Sequence, residues 1–334
     1  KLYTGNAGTL NVTGLDFQPD WVWIKNRTSD YTHGLYDSVR GAGSSKGIYS
    51  NTNEAEGTNS AFQNLTSFNS DGFSLGSTSN TNVINTNSQN HVSWNWKAGT
   101  SFTNDASATG IGSIDSTGSV NTDAGFSIVS YSGNSTAGAT IAHGLGATPK
   151  MMIVRKRNSA ENWLVYHAST GNTGATLLNG TNAFFQDDMW NSTSPTSSVF
   201  TVHGGAGANA SGGTYIAYCF TDVKGYSKFS SYIGNGNADG AFVYTGFKSA
   251  FVMIKKTSGT GNWCLFDNKR GVNGAMIQLN PDVNNADNTS NYIDFLSNGF
   301  KCRNTASDKN ASGGSYIYMA FAENPFVTST GVPA

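Results

Sequence analysis

The chain has 334 residues, a formal net charge of −1 and only 12% charged residues, so it lacks the basic surplus of a nucleic-acid binder. Forty residues are glycine and only four of the 21 acidic residues are glutamate, which is poor material for helices, while 12% aromatic content can build cores. That balance points to an all-β protein rather than a disordered one, and no apolar run reaches the ~20 residues of a membrane-spanning helix.

Along the chain, Tyr3-Thr-Gly-Asn6 opens a first segment. In Trp21-Val-Trp-Ile24, Val22 and Ile24 point one way and Trp21 and Trp23 the other. Both faces are apolar, so a central strand buried on both sides, or one at a module junction, is predicted. Asp37-Ser-Val-Arg-Gly41 follows, then the turn Ser70-Asp-Gly-Phe73 and a closing strand, His91-Val-Ser-Trp-Asn-Trp96. Residues 100–125 have no counterpart later in the chain and read as a linker or insert. A second series then runs Tyr131-Ser-Gly-Asn134, Met151-Met-Ile-Val154, His167-Ala-Ser-Thr-Gly171 and Tyr215-Ile-Ala-Tyr-Cys-Phe220. The third runs Tyr232-Ile-Gly-Asn235, Phe251-Val-Met-Ile254, Asp267-Asn-Lys-Arg-Gly271 and Tyr316-Ile-Tyr-Met-Ala-Phe321.

Two landmarks recur at one interval. Asn209-Ala-Ser-Gly-Gly-Thr-Tyr-Ile216 returns 101 residues later at Asn310, and Tyr131 returns 101 residues later at Tyr232. A tandem duplication with a diverged N-terminal member accounts for both. Asn-Gly and Asp-Gly pairs supply positive-φ positions for tight hairpins. The expected fold is therefore three tandem β-sandwich, jelly-roll-like repeats in an elongated array. Their bounds are 1–99, 126–225 and 226–334, with 100–125 between the first two.

Reactive clusters are scarce. His33, His91, His143, His167 and His203 are scattered; His143 reads as a turn element and His167 and His203 as structural, and there is neither an HExxH nor a nucleophile-elbow GxSxG with its Asp and His partners. Cys219, Cys264 and Cys302 stand at non-equivalent places and read as buried thiols, with a Cys264–Cys302 disulfide as the alternative. Asp37 with Arg40, and Asp267 with Arg270, fit a turn-locking ion pair; a calcium or glycan role is the sharper alternative. Asp187 and Asp188 beside Trp190, and Asp282 to Asp287, are candidates for hydrogen bonds to a sugar, with an aromatic ring stacked on it. The spacing is neither that of an EF-hand nor of a calcium-binding nonapeptide repeat, so no metal site or cofactor is assigned. Asp187 with Asp188, or Glu54 with Glu56, would serve glycosidase chemistry only at ~5–10 Å separation, and adjacent acids more often solvate a loop. Nine Asn-x-Ser/Thr sequons occur, Asn209 and Asn310 among them, mostly as accidents of composition.

The third series is the most diagnostic: Tyr226-Ser-Lys-Phe-Ser-Ser-Tyr-Ile-Gly-Asn-Gly-Asn-Ala-Asp-Gly240, Ala250-Phe-Val-Met-Ile-Lys-Lys256, Gly261-Asn-Trp263, Ile293-Asp-Phe-Leu-Ser-Asn-Gly-Phe300 and Tyr316 through Phe326. Pro149 through Arg155 with Asn162-Trp163, and Pro19 through Arg27, follow the same pattern. This pattern resembles a repeat domain of tailed-bacteriophage virion proteins, found in tail fibres and spikes and at times lectin-like. The resemblance spans nearly the whole chain outside 100–125 and carries no catalytic residues. It implies a non-enzymatic virion protein of tail-fibre or adhesin type that attaches to host cell-surface glycan. Its implied partners are other virion proteins and copies of itself, and it would sit on the virion surface after assembly in the bacterial cytoplasm. The alternatives are a purely structural capsid-decoration or fibre subunit, and a polysaccharide-degrading tail spike.

Overall fold

A computed structural model describes residues 1–58, 64–77, 83–271, 276–290 and 292–324. The chain is all-β, built from several antiparallel sheets. The first seven strands are β1 (Leu2–Thr4), β2 (Leu10–Thr13), β3 (Trp21–Asn26), β4 (Gly34–Asp37), β5 (Leu65–Asn69), β6 (Gly72–Leu75) and β7 (Asn90–Trp96). They form a sheet of order β1-β7-β3-β4 and a smaller one of order β2-β6-β5.

Residues 100–121 supply β8 (Thr100–Asn104) and β9 (Ser116–Asn121), which join the middle strands rather than hang free. Those middle strands are β10 (Phe126–Ser132), β11 (Ala139–Ala142), β12 (Met151–Lys156), β13 (Leu164–His167), β14 (Gly171–Leu177), β15 (Phe185–Gln186), β16 (Val199–Val202) and β17 (Thr214–Phe220). The middle sheet runs β15-β14-β13-β12-β17-β10-β9-β8, and β11 pairs with β16. The last strands are β18 (Ser227–Ile233), β19 (Phe242–Tyr244), β20 (Ser249–Lys256), β21 (Cys264–Asp267), β22 (Ile293–Leu296), β23 (Gly299–Cys302) and β24 (Ser315–Ala322). Their sheets are β18-β24-β20-β21 and β19-β23-β22. No helix among the described residues is long and apolar enough to cross a membrane.

Each large sheet contains the same run of four: β1-β7-β3-β4, β10-β17-β12-β13 and β18-β24-β20-β21. Period-two alternation gives these strands two apolar faces. The outward face packs on the small sheet: Val22 and Ile24 lie with Val12 and Phe73, Met152 and Val154 with Ile141 and Phe200, and Val252 and Ile254 with Val243 and Phe300. Trp21, Trp23, Met151, Ile153, Phe251 and Met253 point the other way, into one core shared by all three sheet pairs. Trp21 stacks on Tyr218 of the middle pair at 4.3 Å, and Trp96 meets Phe251 and Phe321 of the third at 5.6 and 5.8 Å between centroids. The expected elongated array is thus replaced by three wedges around a common centre: the second apolar face of each sheet is buried only against the other two.

The contacts between wedges run in one rotational direction. The Trp163 indole donates to Tyr49 O at 2.8 Å, and Trp263 donates to Leu177 O at 2.7 Å. His33, the residue four before Asp37 as the tryptophans are four before His167 and Asp267, closes the ring through Nε2 to Asn280 O at 3.0 Å. Its Nδ1 accepts from Trp23 Nε1 at 2.9 Å, which fixes the proton on Nε2. Three buried cations follow the same path: Arg155 to Glu54 O, Lys255 to Gly180 O and Lys25 to Asn284 O.

The recurring landmarks touch each other. Tyr3, Tyr131 and Tyr232 donate to the carbonyls of Ile84, Ala208 and Lys309 at 2.6, 2.8 and 2.6 Å. The amides of Asn6, Asn134 and Asn235 donate to the side chains of Asn85, Asn209 and Asn310, each at 2.9 Å. The glycine between them is required by closeness: a Cβ on Gly5, Gly133 or Gly234 would lie 2.2, 2.4 or 2.4 Å from a backbone oxygen. Asn209 and Asn310 are fully buried clasps, so their sequons offer no surface to a glycosyl group. Pro325 and Phe326, at the end of the third closing motif, lie outside the described residues.

Candidate functional site

The Asp-Arg pairs are internal. Arg40 Nε lies 2.5 Å from Asp37 Oδ2, and Arg270 Nε 2.5 Å from Asp267 Oδ2, with both guanidinium groups shielded from solvent. Each carboxylate also takes a donor from a neighbouring wedge: Tyr218 OH reaches Asp37 at 2.7 Å, and Trp94 Nε1 reaches Asp267 at 3.0 Å. Burial pushes the Asp267 carboxyl up, but Arg270 and Trp94 outweigh it and hold the group below its ordinary value. Glu56 and Asp287 extend these pairs, to Arg157 at 2.5 Å and to Arg27 at 2.8 Å. In the middle pair His167 replaces the acid; its Nδ1 accepts from Ser169 N, so Nε2 donates to Tyr318 O at 3.2 Å. Burial lowers its pKa to about 4.

The acids proposed to contact sugar separate into two groups. Asp282 is buried, accepts from Trp263 N at 3.1 Å and is pushed up to about 7 by that burial. Asp287 is committed to Arg27 and Arg270. Asp187 and Asp188 stand on an exposed loop after β15, where Asp188 accepts from Ser192 Oγ at 3.0 Å. Trp190 corrects the expectation. Its ring is fully buried, edge-on to Tyr166 at 5.8 Å, with Nε1 donating to Gly174 O at 3.0 Å. An apolar ring of that size gains more from the core behind the loop than from water, so it is not available to stack on a ligand.

Asp187 instead borders a cavity of about 420 Å³ on the middle sheet pair. Glu161 faces it with a second carboxylate, and Asn162 and Asn182 add amides. Leu164, Leu177, Phe185 and Met189 make the apolar floor, and no cation lines it among the described residues. Asn162 is set by Asn179, whose Nδ2 donates to its Oδ1 at 2.9 Å. A few polar groups converging over an apolar floor are the makings of a small-ligand site. Sequence reading missed Glu161, Asn162 and Phe185 because they come from two separate segments, the loop before β13 and strand β15, joined only by the fold. Among the described residues no group of three or more His, Cys, Asp or Glu is placed to hold a metal ion, and Cys219, Cys264 and Cys302 are free and buried.

No curated protein and no solved structure matches the chain. One family does, described as a domain of unknown function, DUF7483, and its match runs through all three sheet pairs, over residues 1–325. The chain belongs to the DUF7483 family.

Proposed function

We propose that the chain is a non-enzymatic structural protein of a bacteriophage virion, of tail-fibre or adhesin type, that attaches to host cell-surface glycan. Its three sheet pairs are, in this reading, copies of one lectin-like β-sandwich module bounded at 1–99, 126–225 and 226–334. The motif pattern from Tyr226 to Gly240 and from Tyr316 onward supports the virion setting. The single observation that carries the glycan reading is the cavity at Asp187, where two carboxylates and two amides ring an apolar floor. Acids and amides bind sugar hydroxyls, and the floor takes the C–H face of the ring. Copies of the protein in an oligomer would multiply weak single sites.

The test is adsorption of fluorescently labelled protein to susceptible bacteria. Asp187→Ala and Asn182→Ala, both surface changes, should each reduce adsorption about tenfold, a loss of one or two hydrogen bonds to a ligand. Undiminished adsorption in both would remove this cavity from the reading, and none by the wild type would favour a capsid-decoration or fibre-subunit role. Release of reducing ends from host polysaccharide would instead make the protein a degrading spike. A structural role would have to make its subunit contacts without Trp21 and Trp94, which are buried within the chain.

A further inference from the structure

Five large hydrophobic side chains are exposed among the described residues, and two of them, Phe242 at 47% and Tyr244 at 59%, lie two apart on β19. Val243 between them faces the core, so both rings stand on the outer face of the third small sheet, about 7 Å apart along the strand. Lys301 is directly opposite Phe242, and Asp294 is opposite Lys301 one strand further on. Gly299 is opposite Tyr244; a Cβ there would lie 2.0 Å from Val243 O and 3.2 Å from Phe242 Cε2, so the glycine is required by the close backbone and also leaves the Phe242 ring its place. Two ion pairs flank the rings, Lys301 with Asp239 at 2.5 Å and Arg303 with Asp294 at 2.7 Å. Lys228 Nζ is 5.5 Å from the Tyr244 centroid.

The corresponding strands elsewhere lack this feature. Val12, Ile141 and Val243 each oppose a phenylalanine of the small sheet, Phe73, Phe200 and Phe300. Their flanking outer residues are Asn11 and Thr13 on β2, Thr140 and Ala142 on β11, and Phe242 and Tyr244 on β19. The apolar area on offer is on the order of 200 Å², since such rings carry about 150–250 Å² each and half is exposed. A stable contact with a second copy needs about 800 Å² per partner. The platform matches the C–H faces of one or two sugar rings, with Asp239, Lys301 and Asp294 placed at its edge for their hydroxyls. The two ion pairs cancel, and the remaining cation, Lys228, is turned onto the Tyr244 ring, so the platform edge offers partners for hydroxyls rather than a seat for an anion.

We propose that Phe242 and Tyr244 form a stacking platform for a neutral glycan, a contact point separate from the cavity at Asp187. This rests on the attachment reading above and adds a site and a ligand class to it. Affinity electrophoresis of the full chain through gels containing dextran, laminarin or galactomannan tests it, with polygalacturonate as the anionic comparison. The expected result is retardation by at least one neutral polymer and an affinity about tenfold weaker in the Phe242→Ala/Tyr244→Ala double variant. Phe242→Tyr/Tyr244→Trp should restore it, and Ile111→Ala, at another exposed hydrophobic, should leave it unchanged. The platform is overturned by retardation in polygalacturonate alone, by no retardation in any neutral gel, or by equal retardation of the double variant. Sedimentation showing wild-type self-association that the double variant lacks would also overturn it, giving the face to a second copy. Cell adsorption read on the same proteins keeps the two readings apart: adsorption that survives the double variant but is lost in Asp187→Ala leaves attachment standing without the platform.

Discussion

Asp37 and Asp267 each sit under a donor from a neighbouring wedge, Tyr218 and Trp94, whereas the corresponding position on β24 is Met319, which cannot donate. A carboxylate at position 167 would be buried without that hydrogen bond, and without a guanidinium, because Thr170 stands where Arg40 and Arg270 do. The neutral imidazole of His167 finds a carbonyl instead. His167→Asp should therefore cost about 3–5 kcal/mol, the penalty of an uncompensated buried charge. Adding Thr170→Arg should recover part of that loss, and adding Met319→Tyr more; urea denaturation of the three proteins measures it. Acid acts at the same scale. His91, His143 and His167 are buried with pKa values lowered to about 4, desolvation being the main cause. Their unfolded value is about 6.5, so the unfolded chain binds more protons between those limits. Their contribution is full above about pH 6.5 and is lost as pH falls toward 4. His33 is lowered further still by the same cause, while Asp282, raised to about 7, and Asp222, also raised by burial, work with opposite sign, two groups against four. The urea midpoint should fall between pH 6.5 and 4.5, and a flat or rising midpoint would refute the assignment.

At the scale of elements, β9 covers the edge of β10, while among the described residues no strand of the sheet lies on the outer side of β18. The start of β18 is guarded differently: Asp222 accepts from Phe229 N at 2.7 Å, and Val223 bridges Ser227. The hairpin β8–β9 fits closely at Gly118, where a Cβ would lie 2.2 Å from Ile128 O and 2.6 Å from the Phe102 ring. Gly118→Val should lift the hairpin, speeding amide exchange over 100–121 while β12 and β17 keep their protection. It should also promote concentration-dependent association through the bared edge of β10. Unchanged exchange across the hairpin would show that the edge does not depend on that fit. This hairpin was hard to read in advance. Thr100-Ser-Phe-Thr-Asn104 and Ser116-Thr-Gly-Ser-Val-Asn121 carry few apolar residues: β8 is an edge strand, which buries little, and the buried positions of β9 are filled mostly by serine and glycine. The central strands, by contrast, were legible: Trp21-Val-Trp-Ile24 announced two buried faces through alternation alone. What alternation could not supply was the identity of the second partner, since that face is covered by residues more than a hundred positions away. Trp190 was misread for a related reason. Its neighbours Asp187 and Asp188 describe the loop, while its ring belongs to the layer beneath. His33 was read only as one of five scattered histidines, because its equivalence with Trp163 and Trp263 joins unlike residue types.

For the molecule as a whole, the shared core means that no sheet pair is complete alone. Residues 126–225 expressed in isolation would expose Ile128, Met151, Ile153, Tyr218 and Phe220 together, a patch that water does not tolerate on a monomer. The intact chain should melt in one calorimetric transition whose van't Hoff and calorimetric enthalpies agree. The isolated middle segment should give no cooperative transition, and an independent melt of that segment would count against the shared core. Closure of the three wedges has a further consequence. An open stack of modules can gain or lose a member at either end with each remaining junction intact. Here every wedge is both donor and recipient, and the Lys25 and His33 bonds to the third pair tie beginning to end. A fourth member, or a missing one, would force every junction to a new angle at once. The outward-facing residues of each wedge are therefore the positions that can change without disturbing a junction.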